Sequence, residues 1–251
     1  MRTASPGTVY LVGAGPGDPG LLTVRALELI RQADVVLHDH LVSAEILGDC
    51  TPRAQIIDVG KVGHGPRADQ AAIERQLIAF ARAGHRVVRL KGGDPLLFGR
   101  GSEEAVALAT ANVPFEIVPG VSSAIAVPAY AGIPLTARGV AASVAIVTGH
   151  CAGSGATPAT IPIADTIVVL MGVANAEFLC GQLLAAGRSP DTPAAVIEWG
   201  TYTRQRVAVA TIATLPEVIA RARIQAPAVM VIGETVRLRA VLEWGAGAEC
   251  K

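Results

Sequence analysis

The sequence is poor in aromatic and charged residues. Phe, Trp and Tyr make up 4% of the 251 residues and charged residues 17%, whereas hydrophobic residues make up 51%. The shortage of charge argues against disordered tails. The shortage of aromatics, beside abundant Ala, Val, Leu and Gly, favours helices packed on buried parallel strands over a sandwich of half-exposed strands. The length is about twice that of a usual domain, so one large α/β domain or two domains would fit, and two are expected.

The chain also lacks an excess of charge of either sign. Lys+Arg and Asp+Glu both number 21, so the formal net charge is zero. No overall field attracts nucleic acid or an anionic membrane, and neither is expected as a partner. An anionic ligand would have to be bound by local Arg and Lys side chains.

Cysteine pairs and long apolar runs are missing as well. Without a Cys-x-x-Cys pair, neither a zinc site nor a disulfide framework is expected, and a reducing cytoplasm fits best. The first seven residues show no signal-peptide pattern, and no apolar stretch of about 18 residues could span a bilayer. We therefore expect a soluble protein. The four cysteines are Cys50, Cys151, Cys180 and Cys250.

What the sequence does contain is a βαβ rhythm, in which short apolar runs alternate with amphipathic stretches. The rhythm breaks near residue 135, which predicts an N-terminal α/β domain over 1–135 and a C-terminal α/β domain over 136–251. Cys151–Pro162 is predicted to be an exposed loop. The predicted strands are Val9–Val12, Val35–His38, Gln55–Val59, Arg86–Leu90, Phe115–Val118, Ser143–Thr148, Thr166–Leu170, Ala194–Glu198, Arg206–Ala210 and Ala228–Ile232. The predicted helices are Thr23–Ala33, Asp69–Ala83, Ser102–Ala111 with Ser102 as N-cap, Ala174–Ala186 and Leu215–Arg223.

Two glycine-rich loops each lie between a predicted strand and a predicted helix, where α/β sheets bind ligands. In Gly13–Gly20, Asp18 stands where a dinucleotide fingerprint needs Gly, and two prolines remove N–H donors, so a dehydrogenase is disfavoured. These glycines could instead make only a tight turn. In Lys91–Gly101 four glycines predict close approach of backbone to a ligand. Asp94 there is either an acceptor for a ligand hydroxyl or ammonium, or simply the start of an Asp-Pro turn.

Several charged residues follow predicted strands. Arg100, Arg138, Lys61 and His150 could bind a substrate rich in carboxylates, although each taken alone is also typical of a surface charge. Asp39 is placed to act as a general base, or to make a local hydrogen bond. It lies between His38 and His40, but without a third ligand no metal is expected.

Together these motifs closely resemble the uroporphyrinogen-III C-methyltransferase family, within the tetrapyrrole methylases. The resemblance covers nearly the whole chain. The motifs that carry it are Val9–Pro19, Asp39, Leu41–Ser43, Gly60–Lys61, Val88–Gly101, Pro119–Ala126, Ala129–Thr136, Thr148–His150, Met171–Gly172 and Val231–Glu234.

The resemblance implies two α/β domains of the tetrapyrrole methylase type, with the active site in the cleft between them, and a homodimer. It implies methylation of uroporphyrinogen III at C2 and C7, through precorrin-1 to precorrin-2, as in sirohaem and cobalamin biosynthesis. S-adenosylmethionine would be the donor and S-adenosylhomocysteine the product. Asp39 would be the proton acceptor, Lys61 the proton donor and Arg100 a second candidate base. Arg100, Glu103, Arg138 and His150 would line the substrate side. The donor would contact Pro16, Gly92, Gly93, Asp94, Leu97, Ser122, Ser123, Met171 and Gly200.

The chain departs from the family pattern at a few positions. His40 replaces the usual Arg, Ala137 the usual His and Trp199 a common Asn, while 62–68 lacks the usual polar pattern and the loop 151–165 is short. The first two changes keep open an enzyme that methylates a later precorrin. A binding protein that retains the donor loop without catalysing is a further alternative. The sequence shows no dehydrogenase and chelatase region, so methylation alone is expected.

Overall fold

The computed structural model describes residues 3–60, 70–149 and 161–244, and the backbone of 248–249. Its contacts divide the chain into two compact units, Met1–Ser122 and Ser123–Lys251. This division falls upstream of the boundary expected near residue 135, because the helix that begins at Ser123 packs against strands of the second unit. Each unit is an α/β layer structure, and the expected fold class is confirmed.

The first unit contains a parallel five-stranded sheet with the strand order β3-β2-β4-β1-β5. Its elements are β1 Val9–Gly13, α1 Val24–Ile30, β2 Val35–His38, α2 Ala44–Leu47, β3 Gln55–Asp58, α3 Gln70–Arg82, β4 Val87–Lys91, α4 Gly101–Thr110 and β5 Phe115–Val118.

Both faces of this sheet are covered. Leu29 and Ile30 of α1 pack against Val88 and Leu90 of β4 on one face. On the other face Leu77 of α3 and Leu108 of α4 pack against Leu11, Leu37 and Val87. Burying such a side chain contributes about 1.5–3 kcal/mol. Because side chains alternate along a strand, Arg89 and Lys91 of β4 lie with Val87 on the α3/α4 face.

The second unit contains a mixed six-stranded sheet with the order β11-β9-β8-β10-β7-β6. Its elements are α5 Ser123–Tyr130, β6 Val144–Thr148, β7 Thr166–Leu170, α6 Ala176–Ala185, β8 Pro193–Glu198, β9 Arg206–Thr211, α7 Leu215–Ala222, β10 Ala228–Ile232, α8 Arg239–Leu242 and β11 Ala248–Glu249. Its core joins Ile167, Val169 and Met230 of the sheet to Leu179 and Leu183 of α6.

All ten predicted strands are confirmed, each within one residue of its predicted ends. The predicted start of helix α4 was wrong. The helix begins at Gly101, and its N-cap is Arg100, in a left-handed conformation with φ 59°, instead of Ser102. Helix α5 was not predicted, because it is apolar on all sides and contains Pro128. The predicted loop Cys151–Pro162 lies almost wholly outside the described residues. Among the described residues no helix is long and apolar enough to cross a membrane.

Candidate active site

Three loops of the first unit meet where β1, β4 and β5 end. Gly15 and Gly93 form an isolated antiparallel bridge, in which Gly93 N donates to Gly15 O at 2.7 Å and Gly15 N donates to Gly93 O at 3.2 Å. The loops after β1 and β4 are therefore joined backbone to backbone. They lie at the carboxyl edge of a parallel sheet, which is the usual ligand-binding edge of such folds.

The loop after β5 joins the same cluster through Gly13 and Gly120. A Cβ atom on Gly120 would lie 2.3 Å from Gly93 O and 2.7 Å from Gly13 Cα, and one on Gly13 would lie 2.5 Å from Gly120 Cα. No real Cβ fits at such distances. These glycines are required because three backbones approach one another.

Asp94 ties these loops together with both carboxylate oxygens. Oδ1 accepts from Leu96 N at 2.8 Å, and Oδ2 accepts from Gly120 N at 3.1 Å. The first bond is the turn expected at Asp-Pro, and the second fixes the loop after β5. Contact of Asp94 with a ligand stays a prediction.

Gly92 differs from its neighbours, because nothing crowds it. The nearest atom to a Cβ placed there would be Leu41 Cβ at 3.9 Å, an ordinary van der Waals distance. Gly92 N donates to Asp39 Oδ2 at 3.3 Å. The fold itself therefore tolerates a side chain here, and a glycine would be needed only for a ligand. Of the other predicted donor contacts in this unit, Pro16 and Leu97 are half-buried and Ser122 is buried.

Asp39 follows β2, and its side chain is 33% exposed. Arg89 Nη2 donates to Asp39 Oδ1, so each carboxylate oxygen has its own donor. Arg89 is in turn bound to Glu104 of α4, with 3.0 Å between Arg89 Nε and Glu104 Oε1. Lys91 Nζ donates to the same oxygen at 3.1 Å, and burial, followed by the nearby Arg89 guanidinium, lowers the pKa of Lys91.

The residues Asp39, Arg89, Lys91 and Glu104 are called the buried ion network below. Sequence reasoning found only Asp39 among them as a candidate. A signal was nevertheless present, since Arg89 and Lys91 lie at i and i+2 in a strand that the fold buries on both faces. Two such cations require an acidic partner, and Glu104 supplies it.

Arg100 and Glu103, predicted to lie on the substrate side, bind each other. Arg100 Nε lies 2.8 Å from Glu103 Oε1, and Nη2 lies 2.7 Å from Oε2. This bidentate bond raises the pKa of Arg100 and lowers that of Glu103. Both side chains are about half exposed.

In the second unit the two motifs that follow β6 and β7 also come together. A Cβ on Gly149 would lie 2.3 Å from Gly172 Cα, and Asn175 Nδ2 donates to Gly149 O at 2.7 Å. Next to Gly172, Met171 is 47% exposed and has φ 55°.

The remaining predicted site residues of this unit have different structural settings. Ser123 begins α5. Gly200 is packed against α5, where a Cβ would lie 2.3 Å from Val127 Cγ1, so packing alone explains that glycine. Its neighbour Trp199 has φ 49° and is stacked under the Arg204 guanidinium, 3.4 Å from the ring centroid. Arg138 is exposed and has no hydrogen bond or ion pair to any residue that the structure describes.

Two predicted site residues, Lys61 and His150, lie outside the described residues. Of the histidines considered for a metal, His40 Nδ1 lies 3.5 Å from Asp58 Oδ2, and His38 Nδ1 lies 3.0 Å from Asp39 O. The described part of the chain holds no group of three metal-ligating side chains.

The profile of the tetrapyrrole (corrin/porphyrin) methylases matches residues 8–216. A siroheme synthase of Pseudomonas fluorescens strain Pf0-1 is 49% identical over 97% of this chain and 53% of its own length. One from Stutzerimonas stutzeri is 50% identical over 97% and 53%. The chain thus spans about half the length of the curated relatives it matches.

Solved structures agree with this match. The uroporphyrin-III C-methyltransferase of Thermus thermophilus is 42% identical with a TM-score of 0.82, over 94% of this chain and 98% of that one. The same enzyme in complex with S-adenosylhomocysteine gives a TM-score of 0.81, over 92% and 99%. A cobalt precorrin-4 methyltransferase is 28% identical with a TM-score of 0.79, over 92% and 96%.

The chain belongs to the tetrapyrrole methylase family, whose members transfer a methyl group from S-adenosylmethionine. The expected family, fold class and class of enzyme are confirmed.

Proposed function

We propose that this protein methylates uroporphyrinogen III at C2 and C7, giving precorrin-2 by way of precorrin-1. The proposal depends on one observation: the half-buried carboxylate of Asp39 is held in place, because one oxygen accepts a hydrogen bond from Arg89 and the other accepts one from Gly92 N. It lies beside the glycine loop predicted to bind the donor. A carboxylate in this position is suited to receive a proton from the methylated macrocycle. The 42% identity to the Thermus thermophilus enzyme, over nearly all of both chains, supports this substrate.

The open space at Gly92 supports binding of the donor by the loops of the first unit, because the peptide group is accessible on the side where other residues carry a side chain. When bound, S-adenosylmethionine supplies an electrophilic methyl group. We assign its binding to the residues that the resemblance implies, which are Pro16, Gly92, Gly93, Asp94, Leu97, Ser122, Ser123, Met171 and Gly200. Holding two reactants in a fixed pose is itself a large part of such catalysis.

Asp39 is the proposed base. Methylation of a substituted pyrrole carbon leaves positive charge on the macrocycle, and loss of a proton from another position of the macrocycle to the Asp39 carboxylate removes it. Arg100 is the weaker candidate, because a base must first be neutral and the bond to Glu103 raises the pKa of Arg100. Lys61 is the proposed proton donor.

Carboxylates of the substrate need cationic partners, for which Arg has the matching planar fork. The Arg138 guanidinium is exposed and unpaired among the described residues, so it is available to a carboxylate. Arg100 is paired with Glu103, so it would exchange that carboxylate for one of the substrate. His150 completes the proposed substrate side. We further propose that the protein is cytoplasmic and forms a homodimer. Light scattering of the purified protein would test the dimer.

Anaerobic incubation of the protein with S-adenosylmethionine and uroporphyrinogen III tests the proposal. We expect two methyl groups per macrocycle by mass, and the absorbance of precorrin-2. Asp39→Asn should lower kcat at least about 100-fold, because it removes the base. Asp49→Asn is the matched control and should leave kcat unchanged, since this carboxylate is 32% exposed, much like that of Asp39, and is paired with Arg31.

Each other outcome has a distinct meaning. Preferential methylation of a later precorrin in a competition assay would replace the proposed substrate and agree with the departures at His40 and Ala137. A melting temperature raised by S-adenosylmethionine without any methyl transfer would instead indicate a binding protein.

A further inference from the structure

The buried ion network places Asp39 at the exposed end of a chain of charges. Asp39 is bound to Arg89 and Arg89 to Glu104, while Lys91 and Gln70 also donate to Glu104. Only Asp39 reaches solvent to a substantial extent, since the other three side chains of the network are at most 3% exposed. We propose that Arg89 and Glu104 are positioning residues that fix the Asp39 carboxylate for proton transfer. This inference rests on the proposed function, in which Asp39 is the proton acceptor.

The hydrogen bonds of Arg89 leave its guanidinium one orientation. Nε donates to Glu104, Nη1 donates to the main-chain oxygens of Leu37 and Leu90, and Nη2 donates to Asp39. All three nitrogens are therefore used, in three directions. A lysine ammonium would keep the charge but could not span these acceptors, because its donors radiate from one atom.

Glu104 is the inner support of this arrangement. Its Oε1 accepts from Arg89, Lys91 and Gln70, whereas Oε2 has no hydrogen-bond partner within the described part of the chain. A fully buried carboxylate with an unused oxygen is costly, and ion pairs of this kind often contribute little to net stability. Its position is explained if it holds Arg89, and through Arg89 the carboxylate of Asp39.

A second Asp–Arg pair on the same two strands provides the comparison. Asp34 and Arg86 lie immediately before β2 and β4, whereas Asp39 follows β2 and Arg89 lies in the middle of β4. Their side chains are about one third exposed, at 34% and 35%. Arg86 donates to both carboxylate oxygens of Asp34, through Nε and Nη2, whereas Arg89 donates to Asp39 through Nη2 alone. This pair lies at the amino edge of the sheet, far from the loops predicted to bind the donor, so it should affect stability alone.

The test compares Arg89→Lys and Glu104→Gln with the control Arg86→Lys. For Arg89→Lys we expect kcat to fall about 100-fold, the loss typical of a misplaced catalytic group. Substrate KM and the dissociation constant of S-adenosylhomocysteine should stay within about threefold, because neither ligand contacts Arg89 in this proposal. Glu104→Gln keeps the shape of the side chain. It should lower kcat about tenfold and leave KM and the dissociation constant unchanged, so the inference can still be tested if Arg89→Lys does not fold. Arg86→Lys should lower the melting temperature and leave kcat unchanged.

Crystal structures of the three variants give a readout that does not depend on activity. In Arg89→Lys the Asp39 carboxylate should turn away from Gly92 N, and in Arg86→Lys it should stay. If wild type does not methylate uroporphyrinogen III, the proposed function fails, while these structures still decide the positioning role. An Asp39 carboxylate that keeps its position in Arg89→Lys, or an active wild type whose kcat is unaffected by Arg89→Lys and Glu104→Gln, overturns the inference.

Discussion

At the scale of single residues, neighbouring glycines serve different purposes. Gly120 has no room for a Cβ, since the backbones of Gly13 and Gly93 lie against it, whereas Gly92 has room for one. The first is required by the fold. In the proposed donor site, the second is required by the ligand.

Gly120→Ala and Gly92→Ala should separate these purposes. Gly120→Ala should lower the free energy of unfolding by about 3 kcal/mol, because joined backbones must move apart. Gly92→Ala should change it by less than about 0.5 kcal/mol but weaken S-adenosylhomocysteine binding at least about tenfold by filling the approach to the peptide group. Urea unfolding and calorimetric titration measure the two effects. Wild-type binding by Gly92→Ala would exclude Gly92 from the donor site.

At the scale of elements, two helices of the second unit end in the same way with different residues. After α6 comes Gly187 with φ 87°, and after α7 comes Arg223 with φ 51°. In both places the next residue's N–H returns to the last turn: Arg188 N donates to Leu183 O, and Ile224 N donates to Ile219 O. The left-handed conformation suits glycine and costs other residues about 1 kcal/mol.

We therefore expect opposite effects from opposite substitutions. Gly187→Ala should destabilise the unit by about 1 kcal/mol through backbone strain alone, since no atom lies within 4 Å of the added Cβ. Arg223→Gly should stabilise it by about 0.5 kcal/mol, the relief being reduced by the greater freedom of glycine in the unfolded chain. Tryptophan fluorescence during urea unfolding is suitable, because Trp199 and Trp244 lie in this unit. If both substitutions stabilised the protein, or both destabilised it, the left-handed conformation at these helix ends would not explain their effects.

At the scale of the whole molecule, the two units have separate cores, so each can have its own unfolding transition. The ion pair Asp34–Arg86 makes the stability of the first unit depend on pH in the acid range. The Arg86 guanidinium lowers the pKa of Asp34 from 3.8 to about 2. Since the folded pKa lies below the unfolded one, the stabilisation is present above pH 3.8 and is lost as the pH falls through about 2.

Asp34→Asn should therefore lower stability by about 1 kcal/mol at neutral pH, a figure discounted because solvent screens the partly exposed pair. The difference from wild type should persist down to about pH 4 and shrink below it. Far-UV circular dichroism during urea unfolding measures it, because the first unit has no tryptophan. Asp49→Asn, at an exposed ion pair, should differ little from wild type at any pH. A difference that grows as the pH falls would contradict the sign of this linkage.

Much of the fold could be predicted from local pattern. Apolar runs such as Thr166–Leu170 and Ala228–Ile232 are buried over most of their length, and their composition already indicates strands. Helix α5 could not be predicted, since it has neither a polar face nor a proline-free interior to indicate it. The start of α4 was misplaced because Arg100 takes a left-handed conformation that Ser102, a good N-cap residue, gave no reason to expect.

For the candidate site, the sequence by itself determined the family motifs, the glycine loops and Asp39, because each is a local pattern of residue types after a strand. Only the tertiary structure decided which glycines crowd other backbones and which one is open. It also decided that Arg100 is bound to Glu103, and that Asp39 is held by Arg89 and Glu104. The physical reason is that hydrogen bonds and close packing depend on distances between residues far apart in the chain, such as the 50 positions between Asp39 and Arg89. Local pattern fixes strand ends, but the sheet order places them side by side.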